Sequence, residues 1–167
     1  QSAGEIYALA IAGAIAVGKG TNGASAFSGA GSVTVNTLKS RVKARVKGSR
    51  VTTSRSGKVN VSATNDSTIT ASAGGVAIAV ALADGAADSS LSIAVGAAVA
   101  INQISEGSTT AATIEDSVID ASGSVSVTAD NGAGIHAFAL AGAAAIGKSG
   151  QGGVAFAGAG AVTVNNI

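Results

Sequence analysis

Residues 6–36, IYALAIAGAIAVGKGTNGASAFSGAGSVTVN, and residues 135–165, IHAFALAGAAAIGKSGQGGVAFAGAGAVTVN, are two copies of one sequence. Laid over one another with a shift of 129 and no gap, they are identical at 19 of 31 positions. A third copy lies between them, because residues 95–102 match the run that ends at Asn36 with a shift of 66, and Asn165 follows Asn102 by 63. The chain of 167 residues therefore repeats a unit of about 65 residues roughly two and a half times.

The same shift of 66 brings residues 57–63 onto residues 123–129, so the repeat extends beyond the first motif. We predict that residues 1–167 are a single segment of a larger repetitive protein, with units at approximately 1–36 (partial), 37–102 and 103–165. Repeated units stabilise one another by stacking. Asn36, Asn102 and Asn165 should then occupy equivalent environments.

Within each unit the side chains alternate with a period of two. Alanines at even positions from 8 to 16 alternate with larger residues such as Leu9, Ile11 and Ile15, and the pattern returns at 76–83 and 137–146. This period is typical of β-strands. An alanine-rich helix is the competing interpretation, since alanine is the best helix former. It is disfavoured because the larger residues would be scattered around a helix.

Glycine and small polar residues interrupt the alternating stretches and predict turns. These interruptions lie at residues 18–23, 54–57, 64–66, 84–85, 122–123, 130–132 and 147–153. Division of the 65-residue unit by three gives about 21 residues, which is the length of one winding of a three-sided parallel β-helix. We therefore predict an all-β fold, a parallel β-helix (β-solenoid) with about 21 residues per coil.

The composition predicts a thin core without covalent or metal reinforcement. Hydrophobic residues make up 47%, but aromatic residues only 2%, and Cys, Met, Trp and Pro are absent. This balance excludes a disulfide framework, collagen and a typical disordered chain. The longest apolar runs, 6–17 and 75–83, are shorter than the ~20 residues of a membrane helix.

If Leu9, Ile11 and Ile15 point inward, the alternating alanines form an outward apolar strip. Exposed apolar strips usually contact a partner. We predict that this strip mediates self-association, and its members are Ala8, Ala10, Ala12, Ala14 and Ala16.

Basic residues are concentrated in one part of the chain. Eight of the ten Lys and Arg residues lie within 39–58, whereas residues 59–147 contain none and carry Glu106, Glu115, Asp116 and Asp120. We name the first six the basic stripe: Lys39, Arg41, Lys43, Arg45, Lys47 and Arg50. Their alternation with Ser40, Val42, Ala44 and Val46 places the first five on one face of a strand. The favoured interpretation of the stripe is a solvated face that resists sheet aggregation. The alternatives are binding of anionic polysaccharide, nucleic acid or acidic surface lipid, and pairing with acidic units of a neighbouring fibre.

The residues that catalysis requires are missing. His136 is the single histidine, and the repeat places Tyr7 at the equivalent position, so a general base is not indicated. We predict no enzymatic activity, no cofactor, no metal and no small-molecule substrate. Asn65-Asp66 and residues 84–88 carry oxygen ligands for calcium, but solvated turns explain them better. Gly18-Lys19-Gly20 lacks the remainder of a phosphate loop, so we interpret it and Gly147-Lys148 as turns.

The runs GAGSVTVN at 29–36, GAGAVTVN at 158–165 and ATIEDSVIDASGSVSVTA at 112–129 resemble the repeats of leukotoxin-type giant filamentous adhesins. Those proteins are secreted surface proteins of Gram-negative bacteria. The resemblance implies a long β-helical stalk, and it supplies no binding residues that match positions in this chain.

We therefore predict a structural segment of a bacterial extracellular adhesin or surface fibre at the cell surface, which associates with other copies of itself or with neighbouring repeats of the same chain. A binding module for anionic surface polysaccharide or nucleic acid, acting through residues 39–58, is the alternative. An ice-binding solenoid is disfavoured because regular Thr-x-Thr ladders are missing.

Overall fold

A computed structural model describes residues 1–85 and 89–167, and those ranges contain no helix that could cross a membrane. Strands account for most of the described chain. In chain order they are β1 (Glu5–Gly20), β2 (Ala24–Leu38), β3 (Arg41–Lys47), β4 (Arg50–Thr52), β5 (Val59–Asn65), β6 (Thr68–Ala83), β7 (Ser90–Ile104), β8 (Thr109–Glu115), β9 (Val118–Asp120), β10 (Val125–Asn131), β11 (Gly134–Lys148) and β12 (Gly153–Asn166). The predicted all-β class is confirmed.

Each strand pairs in parallel with the strand five places later along the chain. Two sheets have three strands, β1-β6-β11 and β2-β7-β12, and three sheets have two strands, β3-β8, β4-β9 and β5-β10. Residues that the repeat aligns are direct partners: Asn102 pairs with both Asn36 and Asn165. The sequence repeat therefore sets the register in which strands pair in five separate parallel sheets.

The prediction of about 21 residues per coil is wrong. Glu5 pairs with Thr68 and Arg41 pairs with Thr109, so paired residues are 63 to 68 positions apart. The long strands explain the difference. A unit contains two strands of about 15 residues, and Gly18-Lys19 and Gly147-Lys148, interpreted above as turns, lie within β1 and β11.

We call the two three-stranded sheets together the fin: sheet I is β1-β6-β11 and sheet II is β2-β7-β12. The chain runs out along β1, turns at residues 21–23 and returns along β2, so the two sheets face each other through side chains. Gly23 at this tip has a φ of 110°, and Gly152 at the equivalent tip has 111°. Glycine adopts this conformation readily, whereas other residues are strained in it.

The interior of the fin contains small residues. Ala77, Ala79, Ala94 and Ala98 are fully buried between the sheets. A Cβ built on Gly75 would lie 2.2 Å from the Ala97 carbonyl oxygen, so the facing backbones are nearly in contact. The Ser92 hydroxyl on β7 donates a hydrogen bond of 2.7 Å to the Ala79 carbonyl on β6, which joins the two sheets directly. Most inward positions of the fin therefore hold small side chains, and Ile69, near the start of β6, is the large exception that is fully buried.

The remaining strands, β3–β5 and β8–β10, form what we call the body. Here the larger aliphatic residues face inward: Val61 and Ala63 are buried, and Val42 and Val46 are half-buried. The corner between β3 and β4 is made by Gly48, with a φ of 58°, and the matching corner in the next repeat by Asp116, with a φ of 48°. Both residues have a positive φ, so the chain changes direction in the same way at this corner of each repeat.

Two asparagine ladders lie where the fin meets the body. In the first, the Asn36 amide donates to Asn102 (2.8 Å) and the Asn102 amide donates to Asn165 (3.0 Å). In the second, Asn65 donates to Asn131 at 2.7 Å. These bonds satisfy buried amides only when the repeats are in register, so they select the observed pairing. The prediction that Asn36, Asn102 and Asn165 are equivalent is confirmed.

The second ladder also closes the body. The Asn65 side-chain oxygen accepts hydrogen bonds from Ser40 (3.0 Å) and Ser67 (2.6 Å). Ser40 lies just before β3, the first strand of the body, and Asn65 is the last residue of β5. Their hydrogen bond therefore holds together the beginning and the end of the body segment in this repeat.

Candidate interaction surfaces

The outer face of sheet I is a broad apolar surface. The odd-numbered residues of β1 point outward, and Leu9, Ile11, Ile15 and Val17 are between 57% and 75% exposed. The paired strands continue the surface with Val76 on β6 and with Phe138, Leu140 and Ile146 on β11. Contiguous exposed apolar area of this extent marks an interaction surface in soluble proteins.

The assignment of Leu9, Ile11 and Ile15 to the interior is wrong. The strip Ala8, Ala10, Ala12, Ala14 and Ala16 faces sheet II and is half-buried in β1. On the central strand β6 the paired residues Ala71, Ala73, Ala77 and Ala79 are 0–3% exposed. The reason is the short distance between the sheets along most of the fin, which favours small side chains on the inner faces. The apolar surface available to a partner therefore consists of the large residues.

Sheet II has a second apolar outer face. Phe27, Val33 and Val35 on β2 are between 61% and 65% exposed, and Phe156, Val162 and Val164 occupy the equivalent positions on β12. Glycines at 29, 31, 158 and 160 leave a gap between the phenylalanines and the valines. The fin is thus a thin sandwich whose two outer faces are both apolar.

The basic stripe lies on the body. Lys39, Arg41, Lys43, Arg45, Lys47 and Arg50 are all exposed, whereas Ser40 is buried and Val42, Ala44 and Val46 are half-buried. Alternating residues of β3 thus project their charges from the same side, about 7 Å apart along the strand. The arrangement suits a linear polyanion that lies along β3.

Acidic residues of the next repeat lie directly beside the basic stripe. Lys47 pairs with Glu115, and the Arg45 guanidinium lies 3.1 Å from the Glu115 carboxylate. Both side chains are nearly half exposed, so solvent screens the ion pair and it contributes below about 1 kcal/mol. The ion pair neutralises one charge of the stripe and leaves the others open to solvent or to a ligand.

The described residues, both on these faces and elsewhere, show little that could perform chemistry. His136 is exposed on the outer face of sheet I and pairs with Thr70, which also pairs with Tyr7. Within residues 1–85 and 89–167, no group of three or more His, Cys, Asp and Glu residues lies close enough to hold a metal ion.

The two calcium candidates have different outcomes. Asn65 uses its side chain in the ladder and in bonds to Ser40 and Ser67, so its oxygen already has protein partners. Residues 86–88 of the second candidate lie outside the described residues. Its described member Asp84 lies 3.6 Å from the Lys19 ammonium in an exposed ion pair.

No protein-family model matches this chain, and no curated protein or solved structure matches it.

Sequence reasoning does not identify the large outward residues of the fin as a surface, because large apolar side chains usually form the core. One signal in the sequence points the other way. Asn36, a polar residue that a parallel fold buries in a ladder, has the same even-numbered parity in β2 as Ala26 and Ala30. Residues of one parity share one face of a strand, so the asparagines mark the alanine face as the interior.

Proposed function

We propose that this chain is a structural segment of an extracellular bacterial surface fibre or adhesin stalk, in which the five parallel sheets continue as a β-solenoid. One observation carries the proposal: each strand pairs with its counterpart in the next repeat, residue by residue. In such an arrangement each repeat templates the next one. The polymer grows along one axis with a rise of about 4.8 Å per repeat.

The interior of the fin supports a structural role, in which the stacked repeats resist extension. Small side chains, close backbones and ladders of hydrogen-bonded asparagines are distributed evenly along the stacking direction. Such an array resists extension without a large core, because every rung repeats the same contacts. The resemblance of residues 29–36, 112–129 and 158–165 to filamentous adhesin repeats points to the same role.

Electron micrographs of the native source, labelled with an antibody raised against this chain, test the proposal. We expect thin stalks on the cell surface that carry the label at many positions along their length. Label restricted to globular particles or to the cytoplasm would contradict it.

The basic stripe supports a second candidate function, the binding of an anionic surface polysaccharide or nucleic acid. Its six charges are exposed, and four of them follow β3, which suits binding of a polyanion by counterion release. Replacement of Arg41, Lys43 and Arg45 by Gln should lower the salt concentration that elutes the chain from heparin or DNA. Unchanged elution would contradict this binding function, and only the structural role would remain.

A further inference from the structure

We propose that the outer face of sheet I packs on the same face of a second copy, about a two-fold axis parallel to the stacking direction. This inference rests on the self-association in the proposed function, and it names the face, the partner and the geometry. The occupant is a second copy of this chain because the face is complementary to itself in shape at its two central rows and in charge at the ends of β1.

The shape complementarity comes from two neighbouring rows of outward residues. The row at Ile11 reads Ile11, Gly74, Leu140 across the three strands, and the row at Gly13 reads Gly13, Val76, Gly142. Large and small residues thus alternate along each row, and the second row is the inverse of the first. A depression of about 240 Å³ lined by Gly13, Ala14, Ile15, Val76 and Ile78 lies on this pattern.

A two-fold axis between these rows places each large residue of the two rows over a small one. The axis reverses the strand direction and keeps the order of the strands, so each strand lies over its own counterpart. Ile11 then lies over Gly13 of the second copy, Val76 over Gly74, and Leu140 over Gly142. Farther out, Phe138 on β11 lies over Ala144, whereas Leu9 on β1 lies over Ile15 as a contact between two large apolar side chains. Interdigitation is therefore confined to the two central rows, where large and small residues alternate.

The charges at the two ends of the face fit the same axis. Glu5 and Lys19 are exposed outward residues near the two ends of β1, and the Lys19 ammonium also lies 3.6 Å from Asp84 in an exposed ion pair. The axis that pairs Ile11 with Gly13 also pairs Glu5 with Lys19 of the second copy. Opposite charges at the rim of an apolar interface favour this antiparallel orientation over the parallel one, in which like charges would meet.

The area of the face is consistent with weak pairing of this segment. Three strands of about 15 residues cover about 50 Å by about 14 Å, or about 700 Å² on each copy. Stable interfaces bury about 800 Å² on each partner. Because the axis is parallel to the fibre, each further repeat adds about 240 Å², and pairing strengthens with the length of the array.

The outer face of sheet II lacks this self-complementarity. Its two glycine rows, at Gly29 and Gly31, are adjacent on β2, and the equivalent rows on β12 are Gly158 and Gly160. An axis between these rows would place glycine over glycine in both edge strands and leave voids. Sheet II therefore provides a matched control surface on the same molecule.

Sedimentation velocity of the full chain over a range of concentrations tests the inference with two glycine-to-valine variants. In Gly13→Val the added side chain meets Ile11 of the second copy, and the dimer dissociation constant should rise at least roughly tenfold. In Gly31→Val, on sheet II, it should stay within about twofold of the native value. An ideal Cβ at Gly13 has only the Val76 carbonyl oxygen within 4.0 Å, and one at Gly31 has no atom within 4 Å, so both monomers should keep their fold. Circular dichroism and the unfolding midpoint check this.

A swapped variant separates loss of shape from general damage. Ile11→Gly combined with Gly13→Ile exchanges the large and small positions of β1, and the two-fold axis again places isoleucine over glycine, so dimerisation should return. Equal weakening by Gly13→Val and Gly31→Val, or no recovery in the swapped variant, would overturn the inference and leave self-association standing. A native chain that stays monomeric at millimolar concentration would also overturn it, whereas the stalk proposal is judged separately by the micrographs.

Discussion

The strands of the fin and of the body both alternate with a period of two, but large apolar residues face mostly outward in the fin and inward in the body. In the body, Val42 and Val61 face inward and charged residues face solvent. In the fin, Ala77 and Ala79 are fully buried, whereas Ile11 is 75% exposed. The spacing between facing strands explains the difference, because along most of the fin the sheets are close enough to favour alanine and glycine on their inner faces. The size of an apolar side chain therefore does not by itself identify the core of a two-sheet structure.

The largest expected effect tests that spacing in the fin. Gly75→Ala should lower the free energy of unfolding by more than about 3 kcal/mol, because the added Cβ would lie 2.2 Å from the Ala97 carbonyl oxygen. The adjacent Gly74→Ala is the matched control, since its Cβ would point outward and lie 3.8 Å from the nearest atom of Ile11. It should change stability by less than about 1 kcal/mol. Urea denaturation of dilute samples measures both, and similar losses would contradict the close approach of the sheets.

An intermediate effect is expected at the junction of fin and body. Asn102→Leu removes the acceptor of Asn36 and the donor to Asn165 at a site that is 1% exposed. Two amides then lose their partners, and we expect a loss of about 2–4 kcal/mol. Asn165→Leu, at the end of the same ladder, removes one bond and should cost about 1 kcal/mol. Denaturation midpoints compare the two variants, and equal losses would mean that the central position of the ladder has no special weight.

The smallest effect compares valines of the two regions directly. Val61→Ala in the body removes buried methyl groups and should cost about 1–2 kcal/mol. Val76→Ala on the fin should cost less than about 0.5 kcal/mol in the monomer, because Val76 is 47% exposed. Thermal unfolding at low concentration measures both. A larger loss in Val76→Ala would contradict the outward assignment of the large fin residues.

Much of the fold is readable from the chain alone because the repeat and the alternation are local properties of the sequence. The strands, the turn regions near residues 21–23 and 54–57, and the pairing of Asn102 with Asn36 and Asn165 all follow from those two patterns. The length of the winding does not follow. Division of the unit by three assumed short strands, whereas β1 and β6 each run through 16 residues.

The candidate surfaces divide in the same way. The exposure of the basic stripe follows from alternation with Val42 and Val46, since charges avoid burial and valines accept it. The apolar faces of the fin were inverted, because both of their parities are apolar and hydropathy cannot distinguish them. Asn36 shares the even-numbered positions of β2 with the alanines and could have identified the inner face. That inference depends on the asparagine ladder, which only the folded chain shows.

By itself, the sequence determined that the chain consists of parallel-pairing β-strands in register at the repeat, since identical units satisfy one another's backbone and amide groups best when they stack. Only the tertiary structure decided which side of each long strand is the interior. That choice depends on how closely two sheets approach across the tip turns, a distance that no single strand encodes and that the glycine and alanine contacts of both sheets set together.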